Sequence, residues 1–196
     1  RHVTAAGGIT TVEEVVAIDT LGASCQLGMA MYTGVMSLTE AYSQLLDWDK
    51  NGGLLPVVTQ DLGGQVLMQA WTDRKGLAET LEGGLATYFS RSRQARWQKG
   101  ETSGHLQHVK TVRYDCDRDT LLYAVEQTGQ ACHVPGKYSC FGDRRFDLKT
   151  LQTVIEDRKK TADPGSYTAK LFADPGLLHA KILEEAQELT EAKSDR

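Results

Sequence analysis

"LLPVVTQDLGGQVLMQAWT", residues 54–72, decides the fold of the middle of this chain. Two strand-like runs, "LLPVVTQD" and "GQVLMQAWT", flank "LGG", and strand runs meeting at a glycine pair signal a β-hairpin. Downstream, "DRKGLAETLEGG" reads as a short helix ended by its glycines. "LATYFSRSR", "HLQHVKTVRYD" and "TLLYAVEQT" are rich in β-branched and aromatic residues and read as further strands. Upstream, "DWDKNGGLLP" is polar and glycine-rich and reads as a linker or boundary.

Outside this β-rich middle the pattern changes. "HVTAAGG" reads as a strand, "TTVEEVVAIDTLG" as a helix with Thr10 or Thr11 at its N-cap and Gly22 just past its end. "ASCQLGMAMY" reads as a second strand, with Cys25 in the core. "SLTEAYSQLL" reads as a second helix, with Ser37 and Glu40 forming a capping box. Alternating strands and helices point to parallel β/α units. Glycines at strand ends before helix N-termini suit phosphate binding, although they also serve simply as tight turns. From residue 147 the apolar spacing turns helical, in "DLKTLQTVIEDRKK" and "LLHAKILEEAQELTEAK". "TADPGSYTAKLFADPG" between them reads as a loop with two Pro-Gly pairs. The expected class is α+β, in three segments: 1–48, 49–146 and 147–196.

Composition narrows the functions. The 196 residues carry a net charge of −4, which gives no global pull toward nucleic acid or an anionic membrane. No apolar run approaches the roughly 20 residues needed to span a bilayer. Four cysteines in a chain this long do not make a disulfide scaffold, so a reducing cytoplasm with thiols free for metal is the expected setting. The chain opens on Arg1 and ends in a charged helix, and it reads as a piece of a longer polypeptide.

Two stretches carry candidate chemistry. "DCDRD", residues 115–119, places Asp115, Asp117 and Asp119 around Cys116, and "ACHVPGKYSC", residues 131–140, adds Cys132, His133 and Cys140. Three thiolates suit Zn²⁺, and three protein ligands leave a position open for water. His133 is either a fourth ligand or a proton carrier. Aspartates are hard ligands that suit Mg²⁺, and an extended chain would put all three on one side and Cys116 on the other. Against this, aspartate runs are common in turns and cysteines are often small buried hydrophobes. In "SRSRQARWQKGETSGH", residues 90–105, Arg91, Arg93, Arg96 and Lys99 precede Glu101, Thr102, Ser103 and Gly104. Arginine forks and small-residue amides make a phosphate cradle, the alternative being a solvated basic strand edge.

"YFSRSRQARWQKGETSGH", "DCDRD" and "ACHVPGKYSCF", in this order and spacing over residues 54–142, resemble phosphoribosyl-AMP cyclohydrolase of histidine biosynthesis. The resemblance implies a hydrolase that opens the adenine ring of 1-(5-phosphoribosyl)-AMP between N1 and C6. It implies a homodimer in which Cys116 of one subunit joins Cys132 and Cys140 of the other on Zn²⁺, with Asp115, Asp117 and Asp119 on Mg²⁺. His133 is the candidate for proton transfer, and Arg91, Arg93, Lys99 and residues 101–104 for the substrate's phosphates.

The flanks resemble neighbours in the same pathway. "DPGSYTAKLFADPGLLHAKILEEAQELTEAK" is similar to the start of phosphoribosyl-ATP pyrophosphohydrolase, an all-α domain, and Glu184, Glu185 and Glu188 match its acidic Mg²⁺ helix. Glu184, Glu188 and Glu191 share a helical face, where like charges call for a cation or water. That family needs a second acidic helix, so pyrophosphohydrolase activity is not expected of these residues. "TAAGGI" and "LGMAMYTG" resemble the last units of a histidine-pathway isomerase barrel, whose loops would put Gly7, Gly8 and Gly28 on a phosphate. A quarter barrel cannot close its sheet, so this piece is expected to lack isomerase activity and either to be poorly ordered or to dock on something else. Two competing functions are a zinc-stabilised RNA-binding module and a non-catalytic assembly remnant. The acidic balance and the missing knuckle spacing weigh against the first, and the intact ligand set against the second.

Overall fold

The structure, a computed structural model, describes residues 3–146, 148–161 and 165–192. It divides into two compact units, one within residues 1–145 and one within 146–196. The class is mixed α+β, as expected.

The first unit is organised by the hairpin of residues 54–72. Strands β3 (Leu55–Asp61) and β4 (Val66–Thr72) pair antiparallel. Asp61 makes their turn: its Oδ1 accepts the amides of Gly63 and Gln65, both at 2.9 Å. Gly64 sits there at φ 82, a left-handed value that favours glycine. Helix α4 (Arg74–Gly83) follows, capped by the Asp73 carboxylate on the Gly76 amide at 2.7 Å and ended by Gly84 in the left-handed conformation. Strands β5 (Thr87–Ser90) and β6 (Ala95–Gln98) form a second hairpin, and β7 (Gln107–Tyr114) and β8 (Leu121–Gln127) a third. The sheet order is β6-β5-β4-β3-β8-β7, and only β3 with β8 is parallel. β3 and β8 alternate in burial along their length, so Leu55, Val57, Leu121, Tyr123 and Val125 form the inner face, with Leu77 of α4 packed into the same core.

A polar chain runs through this core. The Thr59 hydroxyl meets the Tyr88 hydroxyl at 2.7 Å, and Tyr88 donates to Gln107 Oε1 at 2.7 Å. Gln107 in turn donates to Gln127 Oε1 at 2.8 Å. Thr59, Tyr88 and Gln107 are wholly buried. Tyr88→Phe is expected to cost about 1–3 kcal/mol in urea unfolding, because it leaves the Gln107 oxygen and the Thr59 hydroxyl without this partner. A change near zero would show that water reaches these groups.

The N-terminal segment departs from expectation in its second unit. β1 (Thr4–Ala6) and β2 (Ser24–Gln26) pair in parallel on either side of α1 (Val12–Thr20). The expected strand "ASCQLGMAMY" stops at Gln26, and "MAMY" is a helical turn, α2 (Met29–Tyr32), because Met and Ala favour helix once Gly28 breaks the strand. Helix α3 spans Leu38–Gln44. The two-way capping box is Thr11 with Glu14 on α1, whereas Ser37 supplies only one arm, from the Glu40 amide at 3.3 Å. Cys25 is half-buried beside Val15, Ala30, Met36 and Ala41. His2 of the expected first strand lies outside the described residues.

This segment is docked. "DWDKNGGLLP", expected to be a linker or boundary, also carries Trp48, which is 2% exposed within the sheet's core. Its indole N–H donates to the Ser43 carbonyl at 2.8 Å, and the Arg74 guanidinium lies over its ring at 4.9 Å. Tyr42 and Tyr114 rings meet at 5.7 Å, and Arg118 pairs with Asp19. Leu21, Met29, Tyr32 and Val35 nevertheless remain exposed.

The second unit holds α5 (Leu148–Thr161), α6 (Tyr167–Ala173) and α7 (Pro175–Glu191). Helix α6 lies inside the stretch expected to be a loop. Ser166 caps it through the Ala169 amide at 3.2 Å, and Asp174 caps α7 through the amides of Gly176 and Leu177. Pro175 therefore starts a helix rather than breaking one, since the first turn has no use for its missing N–H. Pro164 of the other Pro-Gly pair lies outside the described residues. Among the described residues no helix is long and apolar enough to cross a membrane.

Candidate functional site

The two ends of β8 carry the two candidate clusters. "DCDRD" is the turn before β8, and it is folded rather than extended. Asp115 Oδ1 accepts the amides of Asp119 at 3.1 Å and Thr120 at 3.2 Å. Arg118 adopts φ 64 to close the turn. A carboxylate that captures amides two to five residues on favours such a turn over a strand. The turn still gathers the aspartates: Asp115, Asp117 and Asp119 each bring a carboxylate oxygen within 4.8 Å of the others. Cys116 beside them is exposed.

Sequence reasoning missed Lys50. Its ammonium lies 2.6 Å from Asp117 Oδ2 and 2.5 Å from Asp119 Oδ2. These hydrogen bonds hold the lysine well above its ordinary pKa and both aspartates below theirs. Nothing local marks Lys50 in the sequence, because its partners are 67 residues or more away.

Cys132 and Cys140 stand past the other end of β8, in a loop with little regular structure but many anchors. Gln130 donates to the carbonyls of Cys132 at 2.9 Å and Val134 at 3.0 Å. Ser139 Oγ donates to the Val66 carbonyl at 2.7 Å, and the Cys140 amide to that of Leu67 at 2.8 Å. The loop is thereby tied to β4. Burial, then the neighbouring Cys132 thiol that hydrogen-bonds to it, pushes the Cys140 thiol up. Lys99 is close enough to this pair to feel both thiols, and burial lowers its pKa. His133 is exposed beside Cys132.

The seven residues of β8 separate Cys116 from Cys132 by roughly 20 Å of strand. Among the described residues the aspartate triad is the one grouping of three metal-binding side chains within reach of each other. One copy of the chain thus brings two of the three cysteines together and not the third. The fit to a soft metal is good at the thiol pair, which is preassembled, and incomplete without a further donor.

The basic stretch is a hairpin. Arg91 and Arg93 lie on the β5–β6 turn, and the Arg91 guanidinium stacks over Trp71 at 4.3 Å. Arg96 is committed to Asp73 at 3.3 Å and Glu79 at 3.1 Å. "KGETSG" forms a tight turn in which Gly100, at φ 86, passes the His105 backbone so closely that a Cβ would lie 2.5 Å from its carbonyl carbon. Thr102, Ser103 and Gly104 are exposed, and Glu101 lines an open cleft of about 480 Å³ with Arg96 and Trp97.

Gly7, Gly8 and Gly28 do line one cavity, of about 300 Å³. The amides at the start of α1 are not free for an anion, however: Glu14 Oε2 accepts those of Thr10 at 2.7 Å and Thr11 at 3.0 Å. On α7, Lys181 pairs with Glu184 at 2.8 Å and Glu185 at 3.1 Å, and Glu188 lies one turn on.

Comparison with known proteins agrees with this layout. Residues 68–142 match the phosphoribosyl-AMP cyclohydrolase family and residues 148–196 the phosphoribosyl-ATP pyrophosphohydrolase family. The histidine biosynthesis bifunctional protein HisIE of Deinococcus radiodurans is 49% identical over 158 residues, 74% of this chain and 71% of that protein. The protein of the same name from Pyrococcus furiosus is 40% identical over 168 residues, 79% of this chain and 80% of that protein. That from Escherichia coli K12 is 44% identical over 140 residues, 69% of this chain and 68% of that protein.

Proposed function

The chain belongs to the bifunctional histidine-biosynthesis family that joins phosphoribosyl-AMP cyclohydrolase to phosphoribosyl-ATP pyrophosphohydrolase, and we propose that it opens phosphoribosyl-AMP with a zinc site shared between two copies. The cyclohydrolase reaction in histidine biosynthesis is the family's own. The observation that carries the shared site is the distance along β8: Cys132 and Cys140 are paired in one place and Cys116 is exposed at the far end. A two-fold dimer that sets the Cys116 end of one copy against the Cys132 end of the other completes two equal sites.

In this reading Cys132 and Cys140 of one copy and Cys116 of the other hold Zn²⁺. Bound there, the ion supplies a water whose pKa falls toward about 7, a nucleophile at neutral pH. Oxygen adds at C6 of the adenine, the C6–N1 bond breaks, and C6 becomes a carboxamide carbon. His133, exposed next to Cys132, delivers the proton that N1 takes as it leaves. Lys99, close enough to feel both thiols, offers its positive charge to the thiolates as well as to the substrate's phosphates. Arg91, Arg93 and the turn at 101–104 receive the substrate's phosphates, through forked guanidinium contacts and turn amides. Asp115, Asp117 and Asp119 hold Mg²⁺, their hard oxygens being suited to it.

Residues 1–48 fit the remnant of an isomerase barrel, with the Glu14 carboxylate now seated on amides that would face a phosphate. Glu184, Glu185 and Glu188 fit the acidic helix of the second family, with Lys181 paired to the first two.

The test is ring opening of phosphoribosyl-AMP followed by ultraviolet absorbance, with zinc counted in the same preparation. Turnover that scales with zinc, to about one ion per subunit, is the expected result. Bound zinc with no substrate consumed would leave the site structural and favour the assembly remnant.

A further inference from the structure

Lys50 sits where a cation bound by the triad would sit. Its ammonium bridges Asp117 and Asp119, the same residues that lie within reach of Asp115. It comes from a separate part of the chain and is held there by its backbone. Asp47 Oδ1 accepts the amides of Asp49 and Lys50, both at 3.2 Å, and the Gly53 amide closes the turn on the Trp48 carbonyl at 2.8 Å. The Asp47 amide donates to the Arg118 carbonyl at 2.8 Å, which ties this turn directly to the aspartate loop. Trp48, buried in the core, fixes the other side.

Charge sets the terms of the competition. Three carboxylates carry −3 and Lys50 returns +1. Arg118, within the same loop, directs its guanidinium to Asp19 instead. The residual charge still attracts a divalent ion, but two of its three carboxylates are engaged by the ammonium. An ion taking Asp117 and Asp119 must displace Lys50, and the tether keeps the displaced charge nearby at high effective concentration.

We infer that Lys50 is a tethered counter-cation that competes with the divalent ion for Asp117 and Asp119, so that loading the triad releases the Lys50 ammonium. This rests on the reading of the triad as a divalent-cation site. Lys50 is a positioning residue, acting on the carboxylates rather than on substrate. It keeps the triad gathered and neutralised before the ion arrives, at the expense of affinity for that ion.

The test is Mn²⁺ binding to the zinc-loaded full chain, read from the electron paramagnetic resonance of the free ion. The Asp117→Asn/Asp119→Asn chain provides the background from other sites. Lys50→Met is expected to bind Mn²⁺ about three- to tenfold more tightly than the unmodified chain, the range two partly exposed ion pairs can supply. Lys50→Arg, which keeps the charge, should stay within about twofold of the unmodified chain. If Lys50→Met binds no tighter, or more weakly, Lys50 is an ordinary surface ion pair and the inference fails while the triad reading stands. If the unmodified chain binds no more Mn²⁺ than the double Asn chain, the triad reading fails and takes the inference with it.

Discussion

Cys132→Ala is expected to lower ring opening of phosphoribosyl-AMP by about a thousandfold or more, because in the proposed zinc site it would lose a ligand and with it a nucleophile worth several kcal/mol at neutral pH. Zinc content should fall with it. The fold should survive, since the loop is held mainly by Gln130, Ser139 and the Cys140 amide, the Cys132 Sγ adding a single bond from the Val134 amide at 3.4 Å. Cys116→Ala should do the same damage from the other end of β8. The sharper result comes from mixing the two inactive chains under conditions that exchange subunits. A mixed dimer then has one site with all three cysteines and one with none but Cys140. Equal mixing yields half mixed dimers, so about a quarter of the unmodified activity should return. Two inactive chains that stay inactive on mixing, with exchange verified by mass, would rule out the shared site.

Trp48→Ala is expected to be the most destabilising single change, at about 3–5 kcal/mol in urea unfolding followed by circular dichroism. Trp48 is 2% exposed and packs in the cluster that includes Leu46, Leu55 and Leu121. Truncation leaves a void in that cluster, deprives the Ser43 carbonyl of its donor, and uncovers the Arg74 guanidinium. Trp48→Phe should recover the larger part and retain a deficit of about 1 kcal/mol from the lost indole hydrogen bond. A cost below about 1 kcal/mol for the alanine variant would mean that the N-terminal segment is not anchored through this residue. The same variant should also disturb the Lys50 turn, since Asp47 and Trp48 set its position.

Local signals account for the elements legible in the sequence. The hairpin at 54–72 announces itself by two strand-forming runs and a glycine pair, and the structure places its turn where those glycines are. Helix α4 ends at its glycine pair and α1 just before Gly22, because a left-handed residue terminates a helix whatever surrounds it. The pairing of Thr11 with Glu14 has the same signature as Ser37 with Glu40, a hydroxyl and a Glu three apart, and only the structure tells which of the two closes both ways. Helix α6 is masked by the proline and glycine on either side of it, although Ser166 and Asp174 offer caps.

By itself the sequence determined the chemistry on offer: three cysteines, a histidine and three aspartates in a characteristic order, within a β-rich segment between a β/α segment and a helical one. Their grouping was decided only by tertiary structure. Parallel pairing of β3 with β8 joins residues more than sixty apart, and no periodicity within either strand encodes its partner. That pairing puts the start of β3, and with it Lys50, at the triad's end of the sheet. It also sends the Cys132 loop past the opposite end, where Ser139 and Cys140 bind β4. Short-range steric and capping rules are written residue by residue, whereas which ends of a sheet meet is a property of the whole packed core.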